Sequence, residues 1–180
     1  MSYNECTFEE LGAYEENLCY FPKGGASVAF VLKEGHGITD FSNATQVNAA
    51  IAAGDMVLMT KVKGSLPEPA AVEGENPVAC GSETIVDGYD YTYEIINMNV
   101  NGTNDLFMAD LNKSQFSGLG WYLCDQLAVR VVQQTVSFNA RLVQDVSNKI
   151  KDRYLITAKW YQAVNAPLPV LYDAPVGVFV

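Results

Sequence analysis

Histidine is almost absent from this 180-residue chain; His36, in a Gly-His-Gly turn, is the only one. It has no Ser or Cys beside it in sequence to complete a nucleophile–base pair, so it reads as a turn residue rather than a catalytic base. Cysteine is scarce as well. Cys6, Cys19, Cys80 and Cys124 form no C-x-x-C pair and have one histidine at most to join them, which argues against a structural zinc. Their wide spacing reads as free thiols in a reducing compartment. Positive charge is in short supply too, with 11 Lys and Arg against 21 Asp and Glu and a net charge of −10. Affinity for phosphates comes mainly from Lys and Arg, so a general nucleic-acid binder is excluded, and a surface this acidic repels DNA. The longest apolar run, around Ala26–Leu32, is far too short to span a bilayer. The acidic N-terminus has no apolar signal core. No repeat and no low-complexity segment interrupts the chain.

Phosphate and metal motifs are missing in the same way. The segment PKGGAS (22–27) has a lysine and two glycines but not the order of a phosphate-binding loop. Asp87, Asp90, Glu94 and Asp105 do not form a D-x-D-x-D-G calcium loop, and read as the solvated face of a strand and a helix end. The sequence therefore offers no catalytic residue, no metal ligand set and no cofactor motif.

Alternation is what the chain does have. In ETIVDGYDYTYEII (83–96), Tyr89, Tyr91, Tyr93 and Ile95 fall at every second position, with Asp90, Thr92 and Glu94 between them. A strand sends successive side chains to opposite faces, so this one carries an aromatic face, which reads as core or cross-strand packing, and an acidic face. The segment 127–144 alternates with Val136, Phe138, Ala140 and Leu142 on one side. Residues 153–164 alternate with Tyr154, Ile156, Ala158 and Trp160. ASVAFVLKE (26–34), 55–64 and LGWYLCDQ (119–126) read as further strands. Two short helices fit between them. One lies before Gly54 with Ser42 as its cap. The other lies within 101–118, with Thr103 or Asn104 as its cap, Phe107 and Leu111 on one face, and Gly118 as its stop. The expectation is one mainly β domain over 1–180, an antiparallel sandwich or partly open barrel with one or two short helices.

Two segments stand outside that pattern. SLPEPAAVEGENPVACGS (65–82) holds three of the seven prolines and three glutamates. It reads as an extended loop, since it suits neither a helix nor a central strand. A loop of this length inside a domain is usually functional, and Pro67, Glu68, Pro69, Glu73, Glu75 and Pro77 are its candidate assembly residues. The apolar tail 165–180 cannot hang free without exposing a large apolar patch. Leu168, Val170, Leu171 and Tyr172 are its candidate contacts, and Val178 and Phe179 are expected to be buried with it.

The order of elements over 83–161, GYDYTYEI, NDLFMADLN, GWYLCD, VSFNARLV and YLITAKWYQ, is similar to the sandwich-plus-helix arrangement of tailed-bacteriophage tail tube proteins. ITDFSNATQVNAAIAAGD and LPEPAAVEGENPVACGSETIVDGYDYTY resemble virion structural proteins of phages infecting gut Bacteroidetes, including crAss-like phages. The resemblance covers most of the chain and rests on element order and style. It implies a non-enzymatic virion subunit, tail tube-like or from a head–tail ring, made in the bacterial host cytoplasm. Such a subunit forms a cyclic homo-oligomer, meets other virion proteins, uses no cofactor or membrane, and lets DNA pass without binding it specifically. In that setting 65–82 corresponds to the arm that reaches an adjacent ring, and Asp90 and Glu94 are candidates to face the lumen. The apolar tail departs from a simple tube protein and keeps a capsid auxiliary or decoration protein open. The Tyr and Trp content keeps a carbohydrate-binding sandwich open as well.

Overall fold

A computed structural model describes residues 26–78, 81–113, 115–123, 127–144, 152–164 and 169–179. The reading of PKGGAS, all four cysteines and residues 165–168, Leu168 among them, fall wholly or mainly outside these.

The first strand, β1 (Ala26–Leu32), is apolar at nearly every position because both of its faces are covered. It pairs antiparallel with β2 (Met56–Met59) on one side and β7 (Gly118–Leu123) on the other. β8 (Ala128–Val132) and β11 (Val170–Asp173) continue outward from β7. These five strands form layer one. Layer two is built around β5 (Gly81–Asn97), which pairs with β10 (Arg153–Ala163) along one side. Beyond β10 lie β9 (Val136–Val143) and the short β6 (Gln115–Phe116). Along its other side β5 meets β3 (Val62–Ser65) and then β4 (Ala70–Val78). Every pairing is antiparallel, and a single residue pair, Ala26 with Gly64, joins β1 to β3 where the layers meet. Lys61 makes the corner. Its φ of 54° turns the chain out of β2 in layer one and into β3 in layer two. Among the described residues the fold is a mainly β sandwich with two short helices and no closed barrel, as its alternating segments imply.

One core lies between the layers. Tyr93, Ile95, Val136, Phe138, Tyr154, Ile156 and Trp160 from layer two meet Ala29, Val31, Leu119 and Trp121 from layer one. The Trp121 ring stacks on Tyr93 at 4.4 Å between centroids and lies 6.5 Å from Trp160, which in turn stacks on Tyr91 at 5.3 Å. A second core covers the back of layer one. Val28, Phe30 and Leu32 meet Val47, Ala50 and Ile51 of α1 (Ala44–Ala53) and the terminal Val178 and Phe179. α2 (Gly102–Leu111) packs Met108 and Leu111 into the first core. Among the described residues, no helix covers the other face of layer two.

Several boundaries differ from the sequence reading. Asn43, not Ser42, caps α1, accepting from the Thr45 N–H at 3.0 Å, while Ser42 donates from its N–H to Asp40 in the preceding turn. Asn101 caps α2, accepting from the Asn104 N–H at 2.8 Å; Asn104 is buried and donates instead to the Asn99 carbonyl. In both cases an Asn side chain reaches the free N–H groups of the first turn. α2 ends at Leu111, well before Gly118. Asn112 follows it and bonds both backbone groups of Ala140, so the chain is pinned to β9 rather than continued as helix. The segment 127–144 is two strands in different layers, not one. The largest difference is at 65–82. Residues 70–78 are not loop but β4, an edge strand bonded to β5 alone among the described residues, where Pro77 is tolerated because one side needs no N–H donor.

The Tyr154 hydroxyl donates within a pocket formed by Asp105 Oδ1 at 2.5 Å and the Asn101 carbonyl at 3.2 Å. Burial, with Asp105 adding to it, pushes its pKa up to about 12. Burial pushes Tyr93 up further. An unfolded tyrosine ionises near pH ~10. Between there and the folded value the unfolded chain has shed protons that the folded chain keeps. This share of the stability is therefore fully present below pH ~10 and lost as pH rises through the window. Urea titrations along an alkaline series should show that decline, and a smaller one for Tyr154→Phe.

Candidate functional site

β5 is 17 residues long, but β10 accompanies it only as far back as Gly88, which pairs with Ala163. Upstream of Gly88, β5 has β4 alone among the described residues, through the pairs from Glu73–Val86 to Val78–Gly81. A two-stranded ribbon therefore projects from layer two. Its six paired positions correspond to about 20 Å of extended chain. A register shift between Val72 and Glu73 marks its base. Gly88 is buried there because a Cβ would run into the Tyr161 side chain and the Gln162 carbonyl, at 2.5 and 2.6 Å. The Tyr161 hydroxyl and the Val164 N–H both donate to the Asp87 carbonyl, at 3.2 and 3.1 Å.

The ribbon buries little. Ile85 and Val86 are 39% and 40% exposed, and Tyr89 at its base is 36% exposed. A free two-stranded hairpin is at best marginally stable in water, so the ribbon gains little from its own contacts. Its charge is one-sided. From Gly64 to Asn112 the sequence has Glu68, Glu73, Glu75, Glu83, Asp87, Asp90, Glu94, Asp105 and Asp110, and no Lys, Arg or His. The first five of these belong to the β3–β4 connection and the ribbon. Among the described residues the one ion pair, Lys113 with Asp110 at 3.3 Å, lies elsewhere on the surface.

The exposed face of layer two begins where the ribbon ends. Alternation and register place Asp90 beside Tyr161, Thr92 beside Lys159 and Ser137, Glu94 beside Thr157 and Asn139, and Ile96 beside Leu155 and Arg141. Lys63 of β3 sits across from Ile96, and Arg153 starts β10 on the same side. A groove of about 600 Å³ crosses the ribbon end of this face, between Pro67 and Glu68 on one side and Thr135 and Ser137 on the other.

The structure thus brings Pro67, Glu68 and Asp90 to one groove, keeps Glu94 further along the same face, and puts Glu73, Glu75 and Pro77 on the ribbon strand. Asp90 and Glu94 are both exposed, but they share their face with Lys63, Arg141, Arg153 and Lys159, so that face alone is not an acidic lining. Val170, Leu171 and Tyr172 lie apart from this group, on β11 at the far edge of layer one. Val170 and Leu171 are 43% and 48% exposed, whereas Tyr172 packs on Phe41 at 5.4 Å. The sequence reading missed Ile85, Val86, Arg141 and Lys159. The absence of any cation between Lys63 and Lys113 was the available signal.

His36 spends its Nδ1 accepting the Ile38 N–H at 3.1 Å, which makes it a turn histidine, and burial holds its pKa below the usual value. Among the described residues no cluster of His, Cys, Asp and Glu could hold a metal ion, and no helix is long and apolar enough to cross a membrane. Compared with protein-family models, curated proteins and solved structures, the chain matches none of them.

Proposed function

We propose that this chain is a non-enzymatic structural subunit of a bacteriophage virion, tail tube-like or part of a head–tail ring, which assembles into a cyclic homo-oligomer around a DNA conduit. The projecting β4–β5 ribbon carries the reading. Ordering such a ribbon costs about 1–2 kcal/mol per residue in backbone entropy, and its own exposed side chains return little of that. Contacts with a neighbour supply the rest, with Ile85 and Val86 as apolar anchors. A contact between two different patches, repeated from copy to copy, closes into a ring when the rotation per copy allows it. The net charge of −10 suits a wall past which phosphates must slide without sticking. A carbohydrate-binding module would present a platform of aromatic rings to solvent; here Tyr93, Trp121 and Trp160 are buried, and Tyr89 and Tyr161 are exposed rings of layer two.

Shortening the ribbon tests this. Residues 74–85 are replaced by Asn-Gly, a turn pair suited to a two-residue hairpin, which leaves layer two and both cores untouched. The full chain should form rings in negative-stain images. The shortened chain should keep its far-UV circular dichroism and sediment as a monomer. Rings from the shortened chain, or a full chain that stays monomeric at every concentration, would overturn the proposal.

A further inference from the structure

We infer that the uncovered face of layer two is the receptor for the acidic ribbon of a second copy of this chain. The inference rests on the ring-forming reading and names the surface that the arm meets. The ribbon and its connection carry Glu68, Glu73, Glu75, Glu83 and Asp87 with no cation among them. Two such ribbons repel each other, so edge-to-edge pairing of one β4 with another is disfavoured, as glutamates and Pro77 on an exposed edge strand would also ensure. The partner surface must be basic. Of the chain's 11 Lys and Arg, four lie on one face of layer two: Lys63, Arg141, Arg153 and Lys159.

None of those four has an ion-pair partner among the described residues, and Arg153 Nη1 is buried without a hydrogen bond. Among the described residues no helix covers this face, and it offers Ile96, Leu155 and Tyr161 as apolar ground for Val86, which shares one ribbon face with Glu73 and Glu75. Donor and acceptor are also parts of one strand. β5 forms the ribbon with its first half and the receptor face with its second. A ribbon projecting in the plane of its own layer therefore points away from its own receptor and toward a neighbour's. The contact is head-to-tail, which propagates around a ring instead of ending at a dimer. Once covered, the face gains the ribbon's carboxylates beside Asp90 and Glu94, so the composite surface is acidic although the bare face is not.

Charge exchange in the full chain tests the match. Lys159, Arg141, Glu73 and Glu75 are all exposed, so reversing them leaves the fold intact, which circular dichroism verifies. Lys159→Glu with Arg141→Glu should weaken association by about tenfold or more, as should Glu73→Lys with Glu75→Lys. The four changes together should restore it, and assembly of the unaltered chain should weaken as salt is raised. If ribbon shortening abolishes assembly while the face reversal does not, this receptor is wrong and the ring reading stands. If the full chain does not assemble at all, both fall. Binding of a short DNA duplex to the full chain, lost on reversing Lys159 and Arg141, would assign the face to nucleic acid and overturn the inference.

Discussion

Trp121→Ala is expected to lower the free energy of unfolding by about 3–5 kcal/mol, a large part of the ~5–15 kcal/mol that a domain usually has. Trp121 is the contact between the layers. It sits on β7, is 3% exposed, stacks on Tyr93 of β5 and approaches Trp160 of β10. Removing the indole leaves a void bounded by the rings of Tyr93 and Trp160, on two strands that are held by their own ladders and cannot collapse into it. Because the layers are joined at one strand pair among the described residues, Ala26 with Gly64, side-chain packing carries their association. Urea denaturation followed by tryptophan fluorescence of Trp160 reads the change. A loss below about 1 kcal/mol would mean that the layers do not depend on this contact.

Phe179→Ala is expected to cost nearly as much, about 3 kcal/mol or more. Phe179 is 1% exposed and stacks on Phe30 at 5.8 Å and Tyr122 at 5.6 Å. It closes the back of layer one, where α1 does not reach. Val176→Ala is the matched control; at 95% exposure it should change stability by less than about 0.5 kcal/mol. The contrast separates a docked tail end from a tail that is only adjacent. Equal, small effects at both positions would show that the terminal residues are not part of the second core.

Much of layer two was legible because burial repeats with the strand period. In β9 and β10, the buried set Val136, Phe138, Ala140, Tyr154, Ile156, Ala158 and Trp160 follows directly from alternation. Leu142 keeps that face but is 44% exposed, since β6 pairs with β9 only at Val136 and Ser137. The Tyr89–Tyr91–Tyr93 series behaves the same way, going from exposed through half-buried to 2% exposed as β5 enters the sandwich. β4 was not legible. Its Pro and Glu content opposes a central strand, and a sequence does not display that one edge of the strand stays unpaired.

The split between β8 and β9 had a weak local trace. Val129, Val131 and Val132 of β8 are all buried, because both faces of layer one are covered, and strict alternation begins only at Val136. The candidate site was harder still. Thr92, Lys159 and Ser137 come from three strands distant in sequence, and their meeting depends on the register of β5 with β10 and of β10 with β9.

What the sequence determined by itself is therefore local and additive: which segments alternate, where helices begin to within three residues, and how far acid outnumbers base. Side-chain burial writes those properties into each segment one residue at a time. Only the tertiary structure decided which strands are neighbours, which face of layer two stays open, and that β5 outruns β10 to leave a ribbon in the solvent. Backbone hydrogen bonds are the same for every residue, so the choice among partners comes from how the two cores fill and where the chain can turn, as at Lys61.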